Sequence, residues 1–358
     1  MKKLFKMSLM AIVCVMCGVS TVSAASWRVN NNTASAADFV DVNAAMNDER
    51  VAEGDTLYLD PSTIFTTEQT ISKRVTIVGP GYLHRGVAAA PAVFGNYVNI
   101  TAHGTKIEGC TFNTRDVRMK ANNITIERCY FSSARIISSS TRSNNSVIHA
   151  NFFYGNSYIK GSYSGSDYDI PERYYFQGWT VTNNIIYDPS TSNNVCIEYL
   201  NNATIKNNIC IINGNYYKSI ETVYNSVITN NILLNTKSAK YALVNFSSDV
   251  AMNTIENNVL GCAATDFPDY PNNTFLNTTD LSTVFVNTGL AEDKFRLCEG
   301  SPAIGAGENG IDCGAYAGDS YVPSGLPLFY PYFTGVEIPA VTTDGKLNIK
   351  LNIKTQNE

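Results

Sequence analysis

Two glutamates and a lysine have the types and spacing that chemistry on a repeated scaffold would require. Glu198 and Glu221 each lie seven residues before the isoleucine that opens a recurring phrase, Ile205 or Ile228. Each glutamate also follows an isoleucine that is predicted to point into the core. Both carboxylates are therefore predicted to point outward, one repeat apart. Like charges about 5 Å apart repel unless a cation lies between them. The pair predicts a Ca²⁺ site or an acidic pair facing a substrate, with Lys160 as proton acceptor.

A simpler interpretation of the same glutamates remains open. Each can form a surface ion pair with a nearby lysine, Lys206 or Lys218, and such a pair contributes only about 0–1 kcal/mol to stability. The interpretations differ in what the carboxylates face. A groove lined by Lys160, Glu198 and Glu221 would favour an enzyme.

Tyrosines are concentrated in the middle of the chain. The sequence has 21 Tyr but only 2 Trp, and eleven of the tyrosines lie between residues 154 and 224. Flat, hydroxyl-tipped rings stack on sugar faces while their edges form hydrogen bonds, so this region is predicted to bind a glycan. The alternative is that the rings cover the wall of the scaffold. The candidate glycan-binding residues are Tyr158, Tyr163, Tyr168, Tyr174, Tyr175, Trp179, Tyr216 and Tyr217.

These residues sit on a sequence repeat. One phrase, apolar-x-x-(Asn or Cys)-x-apolar, occurs seven times at irregular spacing, with β-branched residues and Asn-rich corners between copies. The copies are IEGCTF at 107, IERCYF at 126, IHANFF at 148, VTNNII at 181, IKNNIC at 205, ITNNIL at 228 and IENNVL at 255. Such a period predicts a solenoid of parallel strands whose coils stack about 4.8 Å apart around an apolar column.

The fourth position of the phrase is predicted to hold the coils in register. A side-chain amide there can bond its copy in the coils above and below, and Asn also tolerates a left-handed corner. Five asparagines occupy this position: Asn151, Asn184, Asn208, Asn231 and Asn258. Cys110 and Cys129 replace them in the first two phrases, as stacked small fillers or as a bridge between coils.

Segments on both sides of the repeat carry a family resemblance. GDTLYLDPS (54–62) and ISKRVTIVGPG (71–81) resemble opening coils, and KFRLCEGSPAIGAG (294–307) with IDCGAY (311–316) resembles a closing segment. Over residues 26–318 the chain thus resembles the right-handed parallel β-helix proteins of the pectate-lyase-like superfamily. The resemblance implies an all-β solenoid over 25–320, with a helical cap at about 36–50, repeats over about 54–262 and a closing segment at about 285–318. Lyases of this superfamily use a calcium-screened uronate and a Lys or Arg base, which is similar in kind to Lys160, Glu198 and Glu221.

The two ends of the chain differ from the middle. Residues 1–24 combine lysines, a short apolar run and small residues before Ala25, which indicates a secretory signal peptide. Neither Cys14 nor Cys17 has the small preceding residue of a lipid-attachment site, so the mature protein is expected to be secreted, periplasmic or at the cell surface. No later stretch is apolar enough to span a membrane. Residues 321–358 are predicted to form a small β tail, in which KLNIKLNIK (346–354) is a strand with one buried face.

These observations give an order of functional hypotheses. The first is an extracytoplasmic β-helix protein that binds a polysaccharide along a tyrosine-rich face. The second is a polysaccharide lyase that acts on an acidic glycan with calcium, and the third is an adhesin or structural protein of the envelope. A net charge of −5 disfavours nucleic acid as a partner. The sequence makes no prediction of oligomeric state.

Overall fold

The structure is a computed structural model. It describes residues 24–82, 90–138, 143–161, 176–190, 195–214, 219–239, 244–245, 252–289, 291–318, 321–325, 332–338, 346 and 349–354. The predicted signal peptide therefore lies almost entirely outside the described residues.

Three parallel sheets run along the length of the described chain. Sheet A contains β1 (Ser26–Val29), β2 (Thr56–Leu59), β5 (Thr76–Val78), β8 (Lys106–Glu108), β11 (Thr125–Glu127), β14 (Val147–His149), β18 (Thr180–Thr182), β21 (Thr204–Lys206), β24 (Val227–Thr229) and β27 (Thr254–Glu256). Sheet B contains β3 (Ile64–Phe65), β6 (Val93–Phe94), β9 (Thr111–Asn113), β12 (Tyr130–Ser132), β15 (Phe152–Tyr154), β19 (Ile185–Tyr187), β22 (Ile209–Ile212), β25 (Ile232–Asn235), β28 (Val259–Leu260) and β29 (Thr274–Phe275). Sheet C contains β4 (Gln69–Ile71), β7 (Val98–Ile100), β10 (Val117–Met119), β13 (Ile136–Ser138), β16 (Ile159–Lys160), β20 (Ile197–Asn201), β23 (Ile220–Tyr224) and β26 (Val244–Asn245), and β17 (Phe176–Gln177) pairs with β20.

The chain is a parallel β-helix, as predicted. Successive coils add one strand to sheets A, B and C in turn, paired in register with its copy one coil away, and the coil of β16 also contributes β17 to sheet C. The core is a set of stacked columns because equivalent side chains recur at each level. In sheet B the rings of Phe112, Phe131 and Phe153 stack with centroids 4.8 and 4.3 Å apart. Burial of such repeated apolar surface, about 25 cal/mol per Å², is the main force that holds the coils together.

The asparagine column is confirmed, and it extends one coil further to Asn273. From Asn184 onward, the amide oxygen of each asparagine in this column (the asparagine ladder) accepts hydrogen bonds from the backbone N–H and the Nδ2 of the preceding copy, at 2.8–3.0 Å. In the repeated phrases, the left-handed corner belongs to the residue before the fourth position. Asn183, Asn207, Asn230 and Asn257 have φ between 55° and 59°, so the two halves of each Asn–Asn pair have different roles. Cys110 and Cys129 occupy the column as unbridged, buried fillers.

Short helical elements and a hairpin complete the described chain. Helix α1 (Val42–Asn47) begins at the N-cap Asp41, whose side chain accepts a hydrogen bond from the Ala44 N–H, and it covers the first coil. Short 3₁₀ turns span Thr33–Ser35, Ala264–Asp266, Leu281–Thr283, Ala291–Phe295, Glu308–Gly310 and Pro323–Gly325. None of the helices within the described ranges is long and apolar enough to cross a bilayer.

The predicted tail strand is present, but its predicted burial is wrong. β30 (Tyr332–Glu337) pairs antiparallel with β31 (Lys350–Lys354). Ile349, Leu351 and Ile353 are each about half exposed. A two-stranded sheet has too little surface to bury one of its own faces, so alternation along the strand did not imply a buried side.

The closing segment (residues 281–325) lies against the outside of sheet B and forms a second core there. Outward residues of the sheet, among them Phe152, Ile209 and Ile232, pack with Phe285 and Phe295 of this segment. The segment then follows the left-handed corners back along the solenoid. Asn183 Nδ2 donates to the carbonyls of Ala315 and Ala317 at 2.9 and 3.1 Å. The first asparagine of the pair thus fastens the closing segment, while the second holds the ladder.

Replacing Gly325 with alanine is expected to loosen the closing segment. A Cβ on Gly325 would lie 2.3 Å from the Arg128 carbonyl oxygen, and the residue has φ +63°. Limited proteolysis should therefore cut Gly325→Ala within residues 307–325 several times faster than the wild type. Gly318→Ala is the matched control because Gly318 has φ +68° with nothing near its Cβ position. If the two variants were cleaved at the same rate, backbone strain alone would explain the faster cleavage, and tight packing at Gly325 would be contradicted.

Candidate functional site

The outer face of sheet C brings the predicted chemistry-bearing residues together. In its strands the residue that follows the first buried core residue points outward. Strand register therefore stacks one outward side chain per coil. The resulting column is Thr70, Asn99, Arg118, Ile137, Lys160, Glu198 and Glu221. Glu198 and Glu221 occupy consecutive levels, as their sequence spacing predicted, and Lys160 lies one level before Glu198.

Lys160 is the partner of Glu198. Its Nζ lies 3.4 Å from the Glu198 carboxylate, and the two side chains are only 19% and 13% exposed. The alternative partner suggested by sequence, Lys206, instead pairs with Glu308 at 2.9 Å, and Lys218 lies outside the described residues. Because both side chains are largely buried, loss of either partner would leave a desolvated charge.

Among the described residues, Glu198 and Glu221 are not part of a larger cluster of metal-binding side chains. Ca²⁺ takes six to eight oxygen ligands, and no group of three or more His, Cys, Asp or Glu side chains suited to a metal occurs in the portion of the chain that the structure describes. The ammonium of Lys160 already supplies the positive charge that a cation would bring to Glu198. The role of Glu198 and Glu221 as calcium ligands stays a prediction.

A backbone distortion shapes the surface beside Lys160. Tyr199 and Thr222 have φ of 60° and 54° within β20 and β23, one residue after Glu198 and Glu221. This conformation is rare for aromatic and β-branched residues and persists only where the surroundings enforce it. The Tyr199 ring lies with its centroid 5.1 Å from the Lys160 Nζ. Gly161 fits opposite the distortion because a Cβ there would lie 2.0 Å from the Tyr199 carbonyl oxygen.

A second outward column runs beside the first. Its members lie two residues before those of the first column, so strand alternation points both to the same side. Arg135 donates to both oxygens of Asp116 at 2.7 and 2.8 Å and to the Tyr158 hydroxyl at 3.0 Å. The hydrogen bonds to Asp116, together with the nearby Tyr158, raise the pKa of Arg135 despite its burial. This residue is therefore a permanent cation beside a tyrosine ring.

The same arrangement recurs near the start of the column. The Arg118 guanidinium carbon lies 3.6 Å from the centroid of the Tyr97 ring, and Arg115 reaches the Tyr97 hydroxyl at 3.4 Å. Among the described residues, no carboxylate forms an ion pair with Arg118. We call this surface the tyrosine–cation face, and its members are Tyr97, Arg118, Arg135, Tyr158, Lys160 and Tyr199. Cations held over ring faces form an array that can contact both the apolar face and the acidic groups of a sugar chain.

One predicted glycan-binding residue is corrected by the structure. Trp179 is fully buried in the core, and its Nε1 donates to the Ser143 carbonyl at 2.6 Å, so it has no face for a ligand. It lies two residues before Val181, which points into the core. Alternate residues of a strand point to the same side, so Trp179 is also directed into the core, although it lies in the corner before the strand. This signal was present in the sequence.

The other predicted tyrosines have separate outcomes. Tyr158 lies on the tyrosine–cation face. Tyr163, Tyr168, Tyr174, Tyr175, Tyr216 and Tyr217 lie outside the described residues. The described tyrosines between residues 154 and 224 do not share one face, since Tyr154 and Tyr187 belong to sheet B. Sequence reasoning missed Tyr97 and Arg135 because their column depends on register across coils rather than on local composition.

Comparisons with known proteins add one structural similarity. No protein-family model matches the chain, and no curated protein sequence matches it. Among solved structures, the chain is similar to one described as a rhamnogalacturonan lyase, at 10% identity and a TM-score of 0.33, with 66% of this chain and 68% of that chain covered. The assignment as a parallel β-helix rests on the three sheets described above.

Proposed function

We propose that the protein binds an acidic polysaccharide along the tyrosine–cation face. The observation that carries this proposal is Arg118, whose guanidinium carbon lies 3.6 Å from the Tyr97 ring centroid and which, within the described ranges, has no carboxylate partner. A guanidinium in this state offers N–H donors in the geometry of a carboxylate. Lys160 with Tyr199 and Arg135 with Tyr158 repeat the combination along the solenoid axis. The spacing of the coils gives an extended chain several contacts in a row.

Binding is better supported than elimination chemistry. A general base needs a lone pair, and an ammonium that forms an ion pair with Glu198 has none to offer. Arg135 is likewise engaged by Asp116. The lyase hypothesis therefore requires these pairs to separate when substrate binds. The proposal includes an extracytoplasmic location, which N-terminal sequencing of the exported protein would test by finding Ala25 as the first residue.

Removing the positive charges of Arg118 and Lys160 is expected to weaken the binding of an acidic glycan but not of a neutral one. The Arg118→Met, Lys160→Met double variant should bind an oligomer of galacturonic acid about a hundredfold or more weakly, since each charged hydrogen bond contributes roughly 1.5–3 kcal/mol. Calorimetry with the acidic oligomer and with a neutral galactose oligomer of equal length measures the effect. Lys206→Met is the matched control because Lys206 lies on sheet A.

Two outcomes would contradict the proposal. The first is unchanged affinity of the double variant for every acidic glycan that the wild type binds. The second is the appearance of unsaturated product, followed by absorbance with and without calcium, which would replace binding by lyase activity.

A further inference from the structure

A second group of aromatic and cationic side chains lies on the outer face of sheet B. Tyr154 and Tyr187 are paired residues of adjacent strands, β15 and β19, and their ring centroids are 5.9 Å apart. Tyr154 is 39% exposed. The rings stand at the border of the closing segment, which covers the neighbouring column of sheet B. This position leaves one ring accessible beside a fixed wall.

The closing segment brings a lysine to this border. Lys294, in the 3₁₀ turn Ala291–Phe295, has its Nζ 4.4 Å from the Tyr187 ring centroid and 5.0 Å from that of Phe295. Burial lowers the pKa of Lys294. No carboxylate in the part of the chain that the structure describes forms an ion pair with it. A partly buried ammonium held only by ring faces is incompletely compensated for its lost hydration.

An anion from outside would complete this arrangement. Its charge would meet the ammonium of Lys294, and a sugar ring attached to it would reach the exposed face of Tyr154. We propose that Tyr154, Tyr187 and Lys294 form a second carbohydrate-contact site that takes a sugar residue bearing a carboxylate or a sulfate. The site lies on a different sheet from the tyrosine–cation face, so it does not depend on the function proposed for that face.

The test follows Lys294 itself in the full-length protein. Acetylation of lysines, read by mass spectrometry, should label Lys294 less when an oligomer of galacturonic acid or a sulfated galactose oligomer is present. The two acidic oligomers distinguish carboxylate from sulfate recognition. A neutral galactose oligomer should leave the labelling unchanged, and Lys350, which is exposed in β31 and pairs with Glu337, reports nonspecific protection.

Variants separate charge from packing. Lys294→Met keeps the aliphatic stem and removes the charge, so affinity at this site should fall about tenfold, whereas Lys294→Arg should retain most of it. Tyr154→Ala should also abolish the protection of Lys294. Measurement in the Arg118→Met, Lys160→Met background isolates the site, because protection of Lys294 should persist there.

Three results would overturn the inference. One is equal acetylation of Lys294 with and without both acidic oligomers. Another is wild-type affinity of Lys294→Met in the Arg118→Met, Lys160→Met background. The third is loss of Lys294 protection only in the Arg118→Met, Lys160→Met background. That result would show that the protection depends on the tyrosine–cation face, and it would leave the function proposed for that face intact.

Discussion

Asn208→Ala is expected to lower the free energy of unfolding by about 3 kcal/mol or more, since several buried polar groups lose their partners at about 1–3 kcal/mol each. Asn208 Oδ1 accepts from both the N–H and the Nδ2 of Asn184, at 3.0 and 2.9 Å. Its Nδ2 donates to the Val181 carbonyl at 2.8 Å and to Asn231 Oδ1 at 2.9 Å. The side chain is fully buried, so water does not replace these bonds. Chemical denaturation monitored by circular dichroism measures the loss.

Two further variants separate hydrogen bonding from volume. Asn208→Cys fills nearly the same space, and cysteine occupies this column naturally at Cys110 and Cys129. It leaves the Asn184 amide unpaired, so it should be almost as destabilising as alanine. Asn273→Ala removes the last ladder residue, which is only half-buried, and should cost clearly less because water reaches the freed groups. Wild-type stability of Asn208→Cys would contradict the hydrogen-bond explanation.

Arg128→Asn is expected to destabilise the protein by about 3–5 kcal/mol, the usual cost of leaving buried charge uncompensated. Arg128 donates to Glu108 at 2.6 Å and to Glu127 at 2.7 Å, and Lys106 contacts both carboxylates at 2.8 and 3.0 Å. Arg128 and Glu108 are about 5% and 6% exposed. Asparagine is the informative substitute because Arg128 has φ 51°, the same left-handed conformation as Asn183 in an equivalent corner. Any loss therefore reports charge rather than backbone strain.

A compensating variant and a pH series check this expectation. Adding Glu108→Gln to Arg128→Asn should recover much of the stability, since Lys106 then compensates the one remaining carboxylate, Glu127. Burial alone would raise the pKa of Glu127, but Arg128 and Lys106 outweigh it and lower that pKa. The contribution of Glu127 is thus present above the ordinary pKa of about 4.3 and is lost as pH falls through the lowered folded value. Arg128→Asn as stable as the wild type at pH 7 would contradict a stabilising role for the network.

The outward column of sheet C shows how far register carries a prediction from sequence. Glu198 and Glu221 were predicted to share a column because each follows a buried isoleucine at the same distance from its phrase. Pairing between β20 and β23 places them so. The partner of Glu198 was not predictable in this way. Lys160 precedes it by 38 residues, and only the stacking of β16 on β20 brings the two side chains together.

Trp179 and Asn183 illustrate the opposite case at short range. Composition assigned Trp179 to a tyrosine-rich surface, whereas alternation about Val181 directs it inward. Asn183 and Asn184 are identical in type and adjacent in sequence. One nevertheless bonds the closing segment and the other bonds the ladder, because the left-handed corner turns their side chains to opposite sides of the wall.

By itself the sequence determined the solenoid, the order of its coils and the asparagine column. Equivalent residues of successive repeats stack on one another, so these features can be predicted without knowing how distant segments of the chain pack. Only the tertiary structure decided where residues 281–325 lie, which cations meet which rings, and that Lys294 joins Tyr187 across more than a hundred residues. Those contacts join segments with no common period. Their geometry depends on how the closing segment packs against sheet B, a matter of shape and buried area that one-dimensional spacing does not encode.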